Sequence, residues 1–173
     1  MPRSLNTRAD ALSRRYDCDD WSISDAWFNF FNLKFAKCEI DRFATEYNSK
    51  CVRFNSRWYC PGCEAIDAFS QNWHGSVNWL VPPPSLLVET LKKIVLDMAT
   101  GILVFPFWRS HEFWTHFLEI RRSKNFLIDI YVLPKHGVVV PGRGKNGVFE
   151  NNDLGFNLIA MFFKFKVTGQ HSV

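Results

Sequence analysis

Apolar residues along this chain follow two alternating rhythms, one at strand spacing and one at helix spacing. Val77-Asn78-Trp79-Leu80-Val81 is a mostly hydrophobic run that stops at Pro82-Pro83-Pro84. Proline has no amide hydrogen to donate, so a strand inside a sheet cannot continue through the triplet. A helical pattern opens directly afterwards at Ser85. Leu87, Leu91, Ile94, Val95 and Met98 recur on one face, predicting an amphipathic helix of roughly four turns that Gly101 ends. Ile102-Leu103-Val104-Phe105 has no polar position at all, as expected of a strand covered on both faces. Phe113, Trp114, Phe117 and Leu118 mark a further helix face, and Phe126 to Val132 and Leu158 to Phe165 read as strands. Nearer the start, Ser22 and Asp25 form a helix-opening signal. Trp27, Phe30, Phe31 and Phe35 then predict one buried aromatic face, and Cys38 to Phe43 predicts a short strand. Residues 44–65 show no periodicity, and Gly75 marks a turn before the 77–81 strand. Strands alternating with helices predict an α/β fold with a mainly parallel sheet and helices on both faces.

Composition narrows the class. A chain of 173 residues with 47% hydrophobic content suits one domain with a sizeable core and excludes a disordered chain except at the ends. Seventeen Phe and seven Trp predict an aromatic core, the alternative being stacking platforms for nucleic-acid bases. No apolar run reaches the length of a membrane span, and residues 1–20 are polar without a signal-peptide pattern. Five cysteines, an odd number, without such a signal predict a reducing, intracellular setting, nucleus or cytoplasm, and not secretion. The net charge of +4 is clustered. Arg3, Arg8, Arg14 and Arg15 lie near the start, and Arg121, Arg122, Lys124, Lys135, Arg143 and Lys145 lie in the last third. Of these, Arg121, Arg122, Lys124, Arg143 and Lys145 are candidate contacts to a phosphate backbone, the alternative for each cluster being an ordinary solvated surface.

Several side chains invite a chemical reading. Cys60 and Cys63 form a C-x-x-C pair, with Cys51 upstream and His74 downstream, a set that could close a tetrahedral zinc site. The alternative is free thiols with Cys60-Pro61-Gly62-Cys63 acting as a turn. A zinc deaminase fits less well, since Tyr59 precedes Cys60 and no His-x-Glu lies upstream. No glycine-rich phosphate loop and no G-x-S-x-G elbow is present. Asp41 and Asp67 each end a short apolar segment. Carboxylates at such strand ends can bind ribose hydroxyls or an amino group, while the alternative is a cap or an ion pair with Arg42 or Arg53. Open α/β sheets bind ligands beyond the carboxyl ends of their strands, which makes the Pro82-Pro83-Pro84 turn the first place to look.

Taken in order, these segments resemble a family. The first helix with its Trp and Phe residues precedes Ile40-Asp41-Arg42-Phe43-Ala44 and Asn48-Ser49-Lys50-Cys51-Val52-Arg53-Phe54. Asp67-Ala68-Phe69-x-x-x-Trp73, Val81-Pro82-Pro83-Pro84, Ile102 to Pro106 and the Gly142 to Phe149 loop follow. This order and spacing resemble the phage-type Dam DNA adenine-N6 methyltransferases. They are closer still to the methyltransferase-like domain of DIRS-type retrotransposon polyproteins, which follows reverse transcriptase and ribonuclease H. Asn6 to Arg14 resembles the closing segment of a retroelement ribonuclease H, in which the residue matching Asp10 is a metal-binding carboxylate.

The resemblance implies three segments: residues 1–19 as a ribonuclease H-like tail, 20–168 as the methyltransferase-like domain and 169–173 as a frayed end. It implies a Rossmann-like class I methyltransferase fold and, in an active member, S-adenosylmethionine as cofactor, with Asp41, Phe43 and Asp67 in its pocket. It places the catalytic turn at Val81, Pro82, Pro83 and Pro84. Active members carry Asn or Asp, two prolines and an aromatic there. The polar side chain and the first proline carbonyl take the hydrogens of the adenine amine, and the aromatic stacks on the flipped base. Here Val81 and Pro84 stand at those two positions and only the Pro82 carbonyl remains. The resemblance thus implies a degenerate domain acting as a structural or nucleic-acid-binding module. Its partners would be DNA or RNA–DNA intermediates and the upstream polyprotein domains, with no membrane. The alternatives are an active methyltransferase, with Asn78 replacing the missing acceptor, and a zinc-stabilised binding module.

Overall fold

A computed structural model describes residues 21–141, 149 and 153–167. The expectations for Asp10, for the arginines before residue 20, for Arg143 and Lys145 and for residues 168–173 fall outside the described residues. The elements run β1 (Trp21–Ile23), α1 (Asp25–Lys34), β2 (Ile40–Asp41), β3 (Arg53–Ser56), β4 (Ala65–Ile66), β5 (Val77–Leu80), α2 (Leu87–Leu96), β6 (Thr100–Pro106), α3 (Phe113–Arg122), β7 (Phe126–Leu133), β8 (Val139–Pro141) and β9 (Leu158–Phe165). Short 3₁₀ turns cover Ala68–Ser70 and Pro84–Leu86.

Seven strands form one sheet in the order β4-β3-β2-β5-β6-β9-β7. β4, β3, β2, β5 and β6 pair in parallel, and β9 runs antiparallel between β6 and β7. The fold is therefore α/β around a mostly parallel sheet with helices on both faces, compatible with a Rossmann-like arrangement. Side chains alternate across the sheet. Leu80, Leu103, Phe105 and Met161 meet Leu87, Leu91, Phe113 and Phe117 of α2 and α3 on one face. Trp79, Val81, Ile102 and Val104 meet Trp21, Ile23 and Phe31 on the other. Both faces being covered explains why Ile102 to Phe105 carries no polar residue. Among the described residues no helix is long and apolar enough to cross a membrane.

The sequence pattern misplaces four local features. Trp21–Ile23 is a strand, paired antiparallel with Val139–Pro141, where only a helix start is legible. β3 lies inside the stretch read as irregular, and its neighbours on both sides supply the pairing that its own composition does not advertise. α2 stops at Leu96, before Gly101. Met98 takes the left-handed conformation (φ 51°), and the Ala99 N–H reaches back to the Ile94 carbonyl. Gly101 belongs instead to β6, where a Cβ would stand 2.1 Å from the Asn78 carbonyl oxygen. On α1, Phe31 is buried and stacks on Phe35, but Phe30 remains 39% exposed, so the aromatic face is covered only in part.

Candidate functional site at the carboxyl edge of the sheet

Parallel pairing aligns the carboxyl ends of β2, β3, β4, β5 and β6 along one edge. Asp41 closes β2, Asp67 directly follows β4, and the proline turn follows β5. The three features expected to converge do share that edge. They are spread along it: β4 lies three strand spacings from β5, about 14 Å.

At the turn, Val81 is buried and Pro82 is covered as well. The Pro82 carbonyl accepts a hydrogen bond from Trp21 Nε1 at 3.0 Å. Trp21 is fully buried and lies flat on Phe149, with ring centroids 4.2 Å apart and planes 6° from parallel. The Pro83 carbonyl accepts from the Leu86 amide at 2.9 Å, and Pro84 opens the 3₁₀ turn that runs into α2. The turn thus keeps a rigid strand-to-helix shape while β1 packs over it.

Each carboxylate on this edge holds its own loop. Asp41 is buried. Its Oδ1 accepts from the Phe43 amide at 3.3 Å and its Oδ2 from the Lys50 amide at 3.1 Å, which pins both ends of the β2–β3 connection. Asp67 is exposed and caps the 3₁₀ turn. Its Oδ1 accepts from the Phe69 amide at 3.0 Å and its Oδ2 from the Ser70 hydroxyl at 2.7 Å. Its φ of 61° suits this role, because Asp tolerates the left-handed region better than most side chains. Phe43 packs edge-on against Phe69 and Trp73, with centroids 5.6 and 6.1 Å away. The residues assigned by resemblance to a cofactor pocket are therefore brought onto one edge, with Phe43 beside the Asp67 turn. Arg53 pairs with Glu64 at 2.9 Å rather than with either aspartate. That hydrogen bond holds Glu64 below its ordinary range and raises Arg53.

Beneath the edge lies a polar cluster that the sequence reading did not assign. Arg42 is 4% exposed. Its Nε donates to Asn78 Oδ1 at 2.7 Å, Nη1 to Asn55 Oδ1 at 2.9 Å and Nη2 to the Asn72 carbonyl at 3.1 Å. Burial, followed by repulsion from Arg53, pulls its pKa down to about 10. Asn78 Nδ2 lies 2.9 Å from each of the Trp73, Ser76 and Thr100 carbonyls. Asn78 is completely buried and committed to Arg42 and the backbone, so it cannot serve as a substitute acceptor at the turn. The available signal was an Asn inside an otherwise apolar strand, since a buried amide needs partners.

The sulfur ligands do not assemble. Cys51 Sγ lies 3.7 Å from the Cys38 carbonyl, and the Cys63 amide donates to the Cys60 carbonyl across a tight turn. His74 Nδ1 stands 3.1 Å from the Met98 carbonyl, an oxygen that can only accept, so that nitrogen carries the proton. Among the described residues no group of three or more His, Cys, Asp or Glu side chains is placed to hold a metal ion. Arg121 and Arg122 end α3 and Lys124 follows, all exposed. They precede β7, which runs parallel to β6, and so lie at the amino edge of the sheet, opposite the proline turn. Lys164 and Lys166 join them, through the Leu127–Lys164 register and the Lys166 amide to the Asn125 carbonyl. No family model and no curated protein matches the chain.

Proposed function

We propose that this chain is a class I methyltransferase-like domain of a DIRS-type retroelement polyprotein that does not transfer methyl groups. It serves instead as a structural and nucleic-acid-binding module acting on DNA or RNA–DNA intermediates. The fold-level support is an antiparallel last strand, β9, inserted between β6 and β7 beyond five parallel strands, an order expected of a class I methyltransferase. The observation that carries the loss of activity is at the turn. Val81 offers no acceptor, Pro84 offers no aromatic face, and the Pro82 carbonyl is engaged by Trp21 in the packed interior. The residues at the turn therefore do not fit methyl transfer from S-adenosylmethionine to an adenine amine. An adenine amine is a poor nucleophile, and removing one positioned polar group at a reacting centre commonly lowers a rate about 10²- to 10³-fold. The test is incubation of the purified protein with methyl-labelled S-adenosylmethionine and adenine-containing DNA. No label is expected in the DNA, and clear incorporation overturns the proposal.

A further inference from the structure

Three tryptophans anchor the core: Trp21, Trp73 and Trp79 are at most 1% exposed. Against that pattern, two consecutive aromatics stand out on the loop after β3. Trp58 is 53% exposed and Tyr59 is 78% exposed. The Arg57 guanidinium lies 5.5 Å from the Trp58 ring centroid, a cation–π distance. The loop is fastened at its base. The Cys63 amide closes a turn onto the Cys60 carbonyl, Gly62 takes a φ of 85° above the Phe54 ring, and the Glu64 amide returns to the Phe54 carbonyl at 2.8 Å. Exposed rings on a tethered loop lose little freedom when a flat partner stacks on them.

A second arginine–aromatic pair occupies the same edge. After β6, the exposed Arg109 places its guanidinium 4.9 Å from the Phe107 centroid. β3 and β6 are three strand spacings apart, about 14 Å. The edge therefore presents exposed π-faces with arginine guanidinium groups beside aromatic rings. A ligand that matches both has unstacked flat rings joined by anionic links. A duplex keeps its base faces covered, whereas a single strand offers them.

We infer that the Arg57-Trp58-Tyr59 loop, with Arg109, is a binding site for single-stranded nucleic acid, on the edge opposite Arg121, Arg122 and Lys124. This rests on the nucleic-acid-binding reading above and adds to it the surface and the strand form. The test measures fluorescence anisotropy of a fluorescein-labelled oligothymidylate at low salt. Wild type is compared with the double variant Trp58→Ala/Tyr59→Ala and with the triple variant Arg121→Ala/Arg122→Ala/Lys124→Ala, with circular dichroism confirming the fold of each. The aromatic variant is expected to bind about tenfold more weakly for each ring removed, and the basic variant to lose far less. Duplex of the same length is expected to compete poorly. Unchanged binding by the aromatic variant, or equal competition by duplex, overturns the inference and leaves nucleic-acid binding itself standing. Absence of wild-type binding overturns both.

Discussion

Asn78 and Gly101 show how closely two residues on neighbouring strands can constrain each other. They are register partners in β5 and β6. Asn78 places its amide group among three backbone carbonyls and the Arg42 guanidinium, and Gly101 leaves the space its backbone occupies. Asn78→Ala would strip a charge-assisted hydrogen bond from Arg42 and leave buried carbonyls unpaired. Hydrogen bonds to charged groups contribute about 1.5–3 kcal/mol each. A loss of about 3 kcal/mol is therefore expected, read as a lower urea midpoint at unchanged slope. Gly101→Ala puts a methyl 2.1 Å from the Asn78 carbonyl oxygen, so the two strands must separate. A loss of about 3 kcal/mol or more is expected for a forced overlap of this kind, measured in the same titration. Neither residue is legible by type alone. A lone Gly after a helical run reads as a cap, and a lone Asn in a strand reads as an exception. Only the parallel register turns them into a pair.

At the scale of elements, β1 and β8 form a ribbon of three residues each, too short to be stable alone. It persists because Trp21 and Ile23 sink into the core and Trp21 donates to Pro82. Trp21→Phe keeps a ring against Phe149 and removes the donor. It is expected to lower stability by about 1–3 kcal/mol, and Trp21→Ala by about 3–5 kcal/mol, in thermal or urea unfolding. The ribbon was invisible in the sequence because three residues carry no periodicity and its partner lies far along the chain. β3 was hidden for a related reason: Arg53-Phe54-Asn55-Ser56 has one apolar residue, and its place is fixed by β2 and β4 on either side. The long apolar strands β6 and β9 were legible because burial on both faces leaves an unbroken hydrophobic run. β7 is the opposite case, an eight-residue strand at the sheet's end with Leu127 and Val132 exposed. Asp129 is its one charge, and its carboxylate takes the Ile130 amide at 2.9 Å. Such edges invite pairing between chains, and inserted charges oppose it. Asp129→Val is expected to cause self-association, visible as larger species in sedimentation velocity while wild type is unaffected.

For the molecule as a whole, the alternation of strands and helices made the layered α/β arrangement legible. The proline turn was correctly placed at the carboxyl edge because a strand must end where amides run out. The reach of Trp21 to that turn and the separation of the basic cluster to the opposite edge were not legible, since both depend on how distant segments close the sheet. The same closure brings the buried Cys38 thiol and the half-buried Cys51 thiol together, with a consequence for global stability. Burial raises Cys38 far above the ordinary thiol range, reinforced by Cys51, Asp41 and Glu39. Burial, and then Asp41, pushes Cys51 up to about 12. In the unfolded chain both thiols ionise near pH 8.5–9, while in the folded protein they keep their protons. The folded state then binds more protons than the unfolded state, so stability is fully present below about pH 9 and falls as pH rises towards 12. Each retained proton is worth about 1.4 kcal/mol per pH unit, so the pair lowers stability by roughly 3 kcal/mol at pH 10. Arg42 works in the other direction, but only above its depressed value of about 10, which leaves pH 9 to 10 as the interval in which the thiols act alone. Urea unfolding of wild type and of Cys38→Ala/Cys51→Ala across that interval checks this. The variant starts less stable because its core is less filled. Its stability is expected to fall more gently with pH, and parallel curves for the two proteins would show that the thiols ionise alike in both states.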